Sequence, residues 1–400
     1  MKHLVVIGLV LPEPNSTAAG HRLLQLIRVF KEDEYKITFL SAATPTPFSE
    51  PLEYISIELN NERFDNQIKE LNPDVVLFDR YITEEQFGWR VQENCPNSLR
   101  VLDTEDLHFL REARRTAYNQ KREFVENDYY STIFKRELAS ILRCDLSLII
   151  SEFEYNLLTE KFKLNPEILF YIPFLTFEKK EPKYNFKERK NFISIGNFLH
   201  EPNWQTVLKL KSLWKSIKSK LPDAQMHIYG AYVSEKVKQL HDEKSGFLIK
   251  GRADSVEHVF NSSRVLLAPI PFGAGLKGKL WESMIYSLPN ITSSIGAEGM
   301  TVENNWNGFI EDKDSNFTDR AVELYTNESI WCEKIKIGHH LIEEKFLAQN
   351  FRTKLLNTVE NIQDNLNLHR QRNFLGLLLS HQTANATKYM SKWIEAKNKG

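Results

Sequence analysis

Short apolar runs alternate with longer amphipathic stretches along most of the chain. A short apolar run bounded by turn residues predicts a buried strand, and the amphipathic stretches between several of these runs predict helices. This alternation is typical of parallel sheets covered by helices. The predicted strands cover residues 4–10, 37–40, 54–57, 75–78, 99–102 and 146–150 in the first part of the chain, and 191–195, 225–229, 247–250, 265–268 and 290–292 in the second.

A charged segment separates the two series of strands. Residues 178–190 read EKKEPKYNFKERK, with one proline and no apolar periodicity, which is typical of a linker between domains. We therefore predict one nucleotide-fold domain over residues 1–177 and a second over residues 191–345. Residues 346–400 are expected to form C-terminal helices that pack back on the first domain.

A glycine-rich turn follows the predicted strand 265–268, and a helix is predicted to begin near residue 278. Glycines let the backbone approach a ligand closely, and the free N–H groups and positive end of a helix attract an anion. Two lysines add full positive charges, so the segment predicts a diphosphate site, although an ordinary strand-to-helix connection has the same outline. The residues concerned are Gly273, Ala274, Gly275, Lys277 and Lys279.

Two further features follow in the same stretch. Glu282 is expected in the first helical turn, where its carboxylate could accept hydrogen bonds from both hydroxyls of a ribose, or simply complement the helix dipole. A second loop of small residues, 293–299, includes Gly296 and follows the predicted strand 290–292. Because loops at adjacent strand ends face one crevice, both loops are expected to line the same site.

Residues 273–300, GAGLKGKLWESMIYSLPNITSSIGAEGM, resemble the nucleotide-sugar site of GT-B glycosyltransferases, particularly the retaining family 4, glycosyl transferases group 1. The resemblance implies an α/β fold of two Rossmann-like domains facing across a cleft, a UDP- or GDP-linked sugar as donor, and no metal or other cofactor. It also implies that the loop and a lysine hold the diphosphate, that Glu282 holds the ribose, and that residues 294–299 lie near the base and diphosphate. One departure is Ala274, which stands where the family often has the first of two paired glutamates.

The first domain is expected to supply the rest of the site. A loop over residues 12–20 precedes the predicted helix 21–30, and Asn15, Ser16 or Thr17 could cap that helix. In GT-B enzymes the matching loop closes over the donor phosphates, so the resemblance implies contacts from Gly20 and Arg22. A plain strand-to-helix turn is the alternative.

Titratable residues crowd the end of the predicted strand 99–102, in the sequence DTEDLHFLR. Such groups at a strand end point toward the crevice of an α/β sheet. The segment also resembles a D-x-x-D-L-H run of some family 4 relatives, which implies that His108 touches the donor sugar and that Asp106 or Asp103 lies near the acceptor. Helix capping by the same acidic residues, with a surface histidine, is the alternative.

Composition narrows the function further. Lys and Arg number 52 and Asp and Glu 53, for a net charge of -1, so there is no overall basic field for general nucleic-acid binding. No apolar run approaches the roughly 18 residues of a membrane span, and the three cysteines form no CxxC motif. We expect a cytoplasmic protein with reduced thiols.

The C-terminal end is locally basic. Packing against the first domain is the expected role of this end, and docking on the inner, anionic face of a membrane or on a phosphate-bearing acceptor is the alternative. From residue 370 onward one acid, Glu395, accompanies six basic residues: Arg370, Arg372, Lys388, Lys392, Lys397 and Lys399.

The resemblance implies a hexosyl-type glycosyltransferase that moves a sugar from a nucleoside diphosphate to an acceptor hydroxyl, with retention and without a metal. The acceptor remains open among a glycan, a glycolipid, a protein and a small molecule. Two alternatives use the same architecture: a sugar-nucleotide 2-epimerase, and a non-catalytic protein that binds a donor or another protein.

Overall fold

The structure is a computed structural model that describes residues 1–14, 16–381, 389, 390, 393 and 397. Two parallel sheets account for its strands. The first sheet contains β1 (His3–Ile7), β2 (Lys36–Ser41), β3 (Tyr54–Ser56), β4 (Val75–Asp79), β5 (Leu99–Asp103), β6 (Leu146–Ile149) and β7 (Leu169–Tyr171). The second contains β8 (Lys190–Ile195), β9 (Met226–Tyr229), β10 (Phe247–Gly251), β11 (Ser263–Ala268), β12 (Asn290–Thr292) and β13 (Gly308–Ile310).

Helices connect the strands and cover both faces of each sheet. Those of the first domain are α1 (Ala18–Lys31), α2 (Arg63–Leu71), α3 (Arg80–Asn94), α4 (His108–Asn119), α5 (Thr132–Arg143) and α6 (Glu152–Asn156). Those of the second are α7 (Glu201–Lys220), α8 (Glu235–Lys238), α9 (Val256–Ser262), α10 (Gly278–Ile285), α11 (Ser294–Ala297), α12 (Asp314–Thr326) and α13 (Glu328–Leu341). The chain continues through α14 (Arg352–Asp364), α15 (Leu366–Arg372) and α16 (Phe374–Ser380).

Both sheets have the same order over their first six strands, and the first sheet has a seventh strand at its edge. The strand order is β3-β2-β1-β4-β5-β6-β7 in the first and β10-β9-β8-β11-β12-β13 in the second. This is the doubly wound order of dinucleotide-binding folds, in which the chain direction across the sheet reverses beside the first strand. The expected α/β class with two Rossmann-like domains is therefore confirmed.

Alternate residues of the central strands pack on opposite faces of each sheet, as a two-period pattern requires. In β1, Leu4 and Val6 belong to one buried cluster, and Val5 and Ile7 belong to the other. In the second sheet, α7 packs on one face, where Trp214 is 2% exposed. Each domain thus has its own core on both sides of a buried sheet.

The segment predicted as a linker begins at residue 178 without regular structure and contains a buried cation. Arg189 is 0% exposed, and its guanidinium donates to the carbonyl oxygens of Tyr184, Phe260 and Tyr286. Burial lowers the pKa of Arg189 to about 10. Its side chain therefore ties the connection to the second domain.

The C-terminal helices contact the first domain. Leu355, Val359 and Ile362 of α14 belong to the buried cluster on one face of the first sheet. In α15, Arg370 donates to both carboxylate oxygens of Asp145, at 2.8 and 2.9 Å. Lys388, Lys392, Glu395 and Lys399 of the basic end lie outside the described residues. In the described part of the chain, no helix is both long enough and apolar enough to cross a bilayer.

Candidate active site

A cavity of about 630 Å³ lies between the two domains. Its walls come from the loops after β1, β2, β4 and β5 of the first domain and from the loops after β8, β9, β10 and β11 of the second. The strand order reverses between β1 and β4 in the first sheet and between β8 and β11 in the second. The loops that follow these four strands all line the cavity. The cavity therefore lies at the position where open α/β sheets bind ligands.

The amino end of α10 opens into this cavity. The helix begins at Gly278, as predicted, and Gly278 and Lys279 both line the cavity. Gly275 has a φ of +62°, and a Cβ atom there would lie 2.7 Å from Cβ of Asp106 in the opposite domain. Glycine is thus required both by the turn and by the approach of the two domains. The first N–H groups of α10 have no partner within the helix and lie at its positive end.

The two lysines of this segment are placed at the same end. Lys277 Nζ donates to the carbonyl oxygens of Ala274 and Gly275, at 3.2 and 2.6 Å, and Lys279 Nζ donates to Oδ1 of Asn203 at 2.7 Å. All these acceptors are neutral. Burial lowers the pKa of Lys277, and it lowers the pKa of Lys279 to about 8, against the opposing charge of Glu282. The site can therefore neutralise an anion with two partly buried ammonium groups.

Glu282 lines the cavity but is the fifth residue of α10, so it lies in the second turn rather than the first. Burial raises the pKa of its carboxyl to about 7, and the nearby Lys279 opposes that rise. The ribose contact of Glu282 remains a prediction.

Gly296 and its loop were expected to line the cavity, but they do not. A Cβ atom on Gly296 would lie 1.9 Å from Oγ1 of Thr292, so the glycine allows α11 to pack tightly against the end of β12. The following Glu298 accepts hydrogen bonds from both terminal nitrogens of Arg114, at 2.7 and 2.8 Å. This second loop instead joins the two domains, because Arg114 belongs to α4 of the first.

Arg22 and Asp103 also depart from expectation. Both side chains are 0% exposed, and they form a two-armed ion pair with distances of 2.9 to 3.2 Å. The remaining nitrogen of Arg22 donates to the carbonyl oxygens of Ile172 and Pro173. Neither residue lines the cavity. The structure corrects both predictions. This ion pair is buried inside the first domain, so neither side chain can contact the donor sugar nucleotide or the acceptor substrate.

Gly20, Asp106 and His108 do line the cavity. The helix cap beside Gly20 is Thr17, whose Oγ1 accepts the Gly20 N–H at 2.9 Å, while Asn15 lies outside the described residues.

Burial opposes ionisation of Asp106, but its contact with Arg111 lowers the pKa of that carboxyl below the usual range. Asp106 is therefore ionised and paired.

His108 is oriented by a residue that sequence reasoning missed. Glu137 is 0% exposed and accepts the N–H groups of His108 and Phe109 at 3.0 and 2.9 Å, which caps the start of α4. The same carboxylate lies 3.2 Å from Nδ1 of His108. Nδ1 also lies 3.1 Å from the carbonyl oxygen of Asp106. Because both of these neighbours are acceptors, the neutral ring carries its proton on Nδ1, and Nε2 is the acceptor nitrogen.

Residues 189–327, which include Lys277 and α10, match the family model described as Glycosyl transferases group 1. Solved structures extend the likeness over both domains. The chain has the GT-B fold. A search of the curated proteins by sequence gives no match.

Three structures illustrate this GT-B likeness. A variant of S. aureus TarM, in complex with fondaparinux, alpha-GlcNAc-glycerol and UDP, has a TM-score of 0.57 at 15% identity over 74% of this chain, and the chain spans 58% of its length. The pneumococcal O-GlcNAc transferase GtfA, in complex with UDP and GlcNAc, has a TM-score of 0.67 at 12% identity, with coverage of 90% and 99%. Anabaena Alr3699/HepE, in complex with UDP and glucose, has a TM-score of 0.68 at 10% identity, with coverage of 90% and 100%. At these identities the likeness concerns the fold.

A buried carboxyl joins the two halves of the GT-B cleft. Glu154 of α6 accepts the N–H of Leu107 at 3.1 Å and the N–H of Gly275 at 2.7 Å. Burial and the neighbouring Asp106 raise the pKa of Glu154 to about 8. Glu154 thus holds the glycine turn of the second domain against the loop that carries His108. As a single acid after β6, it gave no signal in the sequence.

A second set of contacts crosses the mouth of the cleft. Tyr232 Oη donates to the carboxylate of Glu13, with distances of 3.1 and 3.2 Å to its oxygens. The guanidinium of Arg252 lies 3.6 Å from the ring centroid of Phe48. Glu13 and Phe48 belong to the first domain and their partners to the second, so these contacts hold the domains together across the opening.

Among the described residues, no group of three or more His, Cys, Asp or Glu side chains is arranged to hold a metal ion. The positive charge that faces the cavity from the second domain comes from basic side chains of that domain and from the amino end of α10.

Proposed function

We propose that this protein is a glycosyltransferase that moves a hexosyl group from a UDP- or GDP-linked donor to an acceptor hydroxyl. The observation that carries the proposal is the amino end of α10, which brings Lys277 and Lys279 into the cavity between two Rossmann-like domains. The match of residues 189–327 to group 1 glycosyltransferases supports it. So do the UDP complexes of the similar S. aureus, pneumococcal and Anabaena proteins.

The chemistry follows from where charge develops. When the bond between the anomeric carbon and the diphosphate oxygen breaks, negative charge builds on the leaving diphosphate. Positioned ammonium groups and helix N–H groups stabilise that charge more in the transition state than in the ground state. In this proposal Lys277, Lys279 and the α10 terminus provide the positive charge that a divalent ion provides in other sugar transferases.

We propose retention by attack on the same face. The acceptor oxygen forms a bond to the anomeric carbon on the side from which the diphosphate leaves, and the hydroxyl proton passes to a departing phosphate oxygen. No protein nucleophile is then needed. His108, oriented by Glu137, presents Nε2 as a hydrogen-bond acceptor for a hydroxyl of the donor sugar.

We also propose that the protein works in the cytoplasm. Cys95, Cys144 and Cys332 are all free thiols, which suits a reducing compartment. Fractionation of cells with an antibody to the protein tests this proposal, and recovery from an oxidising compartment would contradict it.

A peripheral membrane contact is proposed for α16. This helix packs on α5 through Gly376 and exposes Phe374, Leu375, Leu377 and Leu378, with the exposed Arg372 just before it. Apolar residues beside basic ones favour the interface of an anionic bilayer. Sedimentation with anionic vesicles, but not neutral ones, should decrease when Leu375 and Leu378 are replaced by serine, and unchanged sedimentation would contradict the proposal.

Release of nucleotide from a panel of UDP- and GDP-linked sugars tests the main proposal. Transfer or slow hydrolysis frees UDP or GDP, whereas epimerisation leaves the nucleotide attached and a non-catalytic protein only binds it. Lys277→Ala, Lys279→Ala and Glu282→Ala should each weaken donor binding by about 1 to 3 kcal/mol, the range of a lost hydrogen bond to a charged group. Lys215→Ala, on the exposed side of α7, is the matched control. Unchanged donor affinity in all three variants would overturn the assignment.

A further inference from the structure

Two carboxyl groups of the first domain, at the wall of the cavity, have oxygens that accept no hydrogen bond. Asp79 ends β4, and Glu105 follows the end of the neighbouring β5. Both residues line the cavity, and they are 3% and 9% exposed. Within the described residues, Oδ1 of Asp79 and Oε1 of Glu105 are buried and accept no hydrogen bond. A buried polar atom without a partner is costly, so each one calls for an explanation. At the wall of a cavity, a role in binding a ligand is such an explanation.

The neighbours of this pair leave it available. Asp103, which pairs with Asp79 in the strand register, is fully engaged by Arg22. Nε of Arg80 lies 3.7 Å from Oδ1 of Asp79. At this distance the two residues form an ion pair but no hydrogen bond. Arg111, the remaining cation at this end, is engaged by Asp106.

The balance of charge at this end of the cavity is therefore acidic. The four carboxyl groups named above outnumber the three arginines by one. Burial raises the pKa of both Asp79 and Glu105; the charge of Asp103 adds to the rise, and the charge of Arg80 opposes it. Hydrogen-bond donors without negative charge suit such a pair. A phosphate or carboxylate would meet both desolvation and repulsion there.

The backbone is strained where it presents the two carboxyls. Arg80, directly after Asp79, has a φ of +70°, and Glu105 has a φ of +62°. A non-glycine residue with such a φ is strained, because its Cβ crowds the backbone. This strain occurs at the ends of two adjacent strands that both reach the cavity.

We propose that Asp79 and Glu105 form the acceptor subsite, and that the reacting end of the acceptor is a neutral polyhydroxylated ring, a sugar, whose hydroxyls donate to the two unpartnered oxygens. This inference rests on the proposed function, because it names the substrate class of the same cleft. It places the acceptor sugar on the first domain, opposite the diphosphate at α10. It excludes an acceptor whose reacting end carries a phosphate or a carboxylate.

Binding of simple glycosides tests the subsite directly. Saturation-transfer difference NMR would follow methyl α-D-glucoside, galactoside and mannoside on the protein with UDP, and again with GDP. At least one glycoside should bind, and Asp79→Ala and Glu105→Ala should each raise its Kd at least tenfold. Asp79→Asn and Glu105→Gln keep a carbonyl acceptor and should recover part of that loss. Glu112→Ala is the matched control and should leave the Kd within twofold, because Glu112 is a partly exposed acid paired with Arg115 on α4.

Calorimetry with UDP and GDP separates this inference from the proposed function. Nucleotide affinity should stay within twofold in all these variants, because the pair lies on the opposite side of the cleft. If the wild type binds neither nucleotide, the proposed function fails, whereas the glycoside data still decide the subsite. The subsite is overturned if no neutral glycoside binds, if glucose 6-phosphate binds more tightly than the neutral glycosides, or if the alanine variants bind like the wild type.

Discussion

Donor binding should weaken at alkaline pH because the proposed diphosphate site depends on lysines with lowered pKa values. Burial lowers the pKa of Lys279 to about 8 in the empty site, and it lowers the pKa of Lys277 as well. A bound diphosphate restores the charged form of each lysine. Affinity is therefore fully present below the pKa of the empty site and is lost as pH rises through it.

The size of the effect follows from that pKa. With a pKa of about 8, roughly a tenth of the Lys279 side chains are charged at pH 9, so the donor Kd should rise about tenfold between pH 7 and pH 9, or about 1.4 kcal/mol. Burial also lowers the pKa of Lys277, which acts in the same direction. Removing the charge of Glu282, which supports the protonated form of Lys279, should shift the decline to lower pH.

Isothermal titration of the preferred nucleotide sugar from pH 7 to pH 9.5 measures this directly, since its diphosphate is a diester with no proton to lose in that range. Lys279→Met should make the decline shallower, Glu282→Gln should move it toward neutral pH, and the variant lacking both Lys277 and Lys279 should show no decline. A wild-type Kd that stays constant over the whole range would refute the reasoning.

Three other substitutions probe the framework of the site. Arg22→Met should destabilise the fold by about 3 to 5 kcal/mol, because it leaves the carboxylate of Asp103 buried and unpaired; denaturant unfolding measures this, and near-native stability would show that the ion pair contributes little. Gly278→Ala should weaken donor binding clearly while lowering the Tm only slightly, because the new Cβ would lie 2.7 Å from Cβ of Ala18 and push the two domains apart. Nucleotide titration and thermal unfolding measure the two effects separately, and unchanged affinity would contradict the close approach. Arg370→Ala should cost about 2 to 4 kcal/mol by removing the cation that binds a buried aspartate of the first domain, and an unchanged Tm would show that α15 is not anchored there.

The strands were predictable because parallel strands covered on both faces are continuous apolar runs. All six strands expected in the first domain and all five expected in the second are present, with ends shifted by a few residues. The two strands that sequence reasoning missed, β7 and β13, are edge strands of three residues, and each has two partly exposed positions. Residues 168–172, ILFYI, are an apolar run that sequence reasoning overlooked, whereas β13 offers only two apolar residues, Phe309 and Ile310.

The local part of the candidate site was also predictable. The glycine turn, both lysines and the start of α10 lie within a few residues of one another, so local patterns were enough. The pairing of Arg22 with Asp103 was not predictable, because it joins residues far apart in sequence whose contact depends on the packing of α1 beneath the cleft. The same holds for Glu154, a single acid that becomes significant only when the two domains meet.

A crystal structure of the protein soaked with UDP, and a parallel one with GDP, tests the central claim most directly. The account predicts diphosphate density at the amino end of α10, with phosphate oxygens within hydrogen-bonding distance of the Gly278 or Lys279 N–H and of at least one of the ammonium groups of Lys277 and Lys279. A nucleotide bound with its diphosphate elsewhere in the cleft, or an α10 terminus left empty at saturating nucleotide, would contradict it.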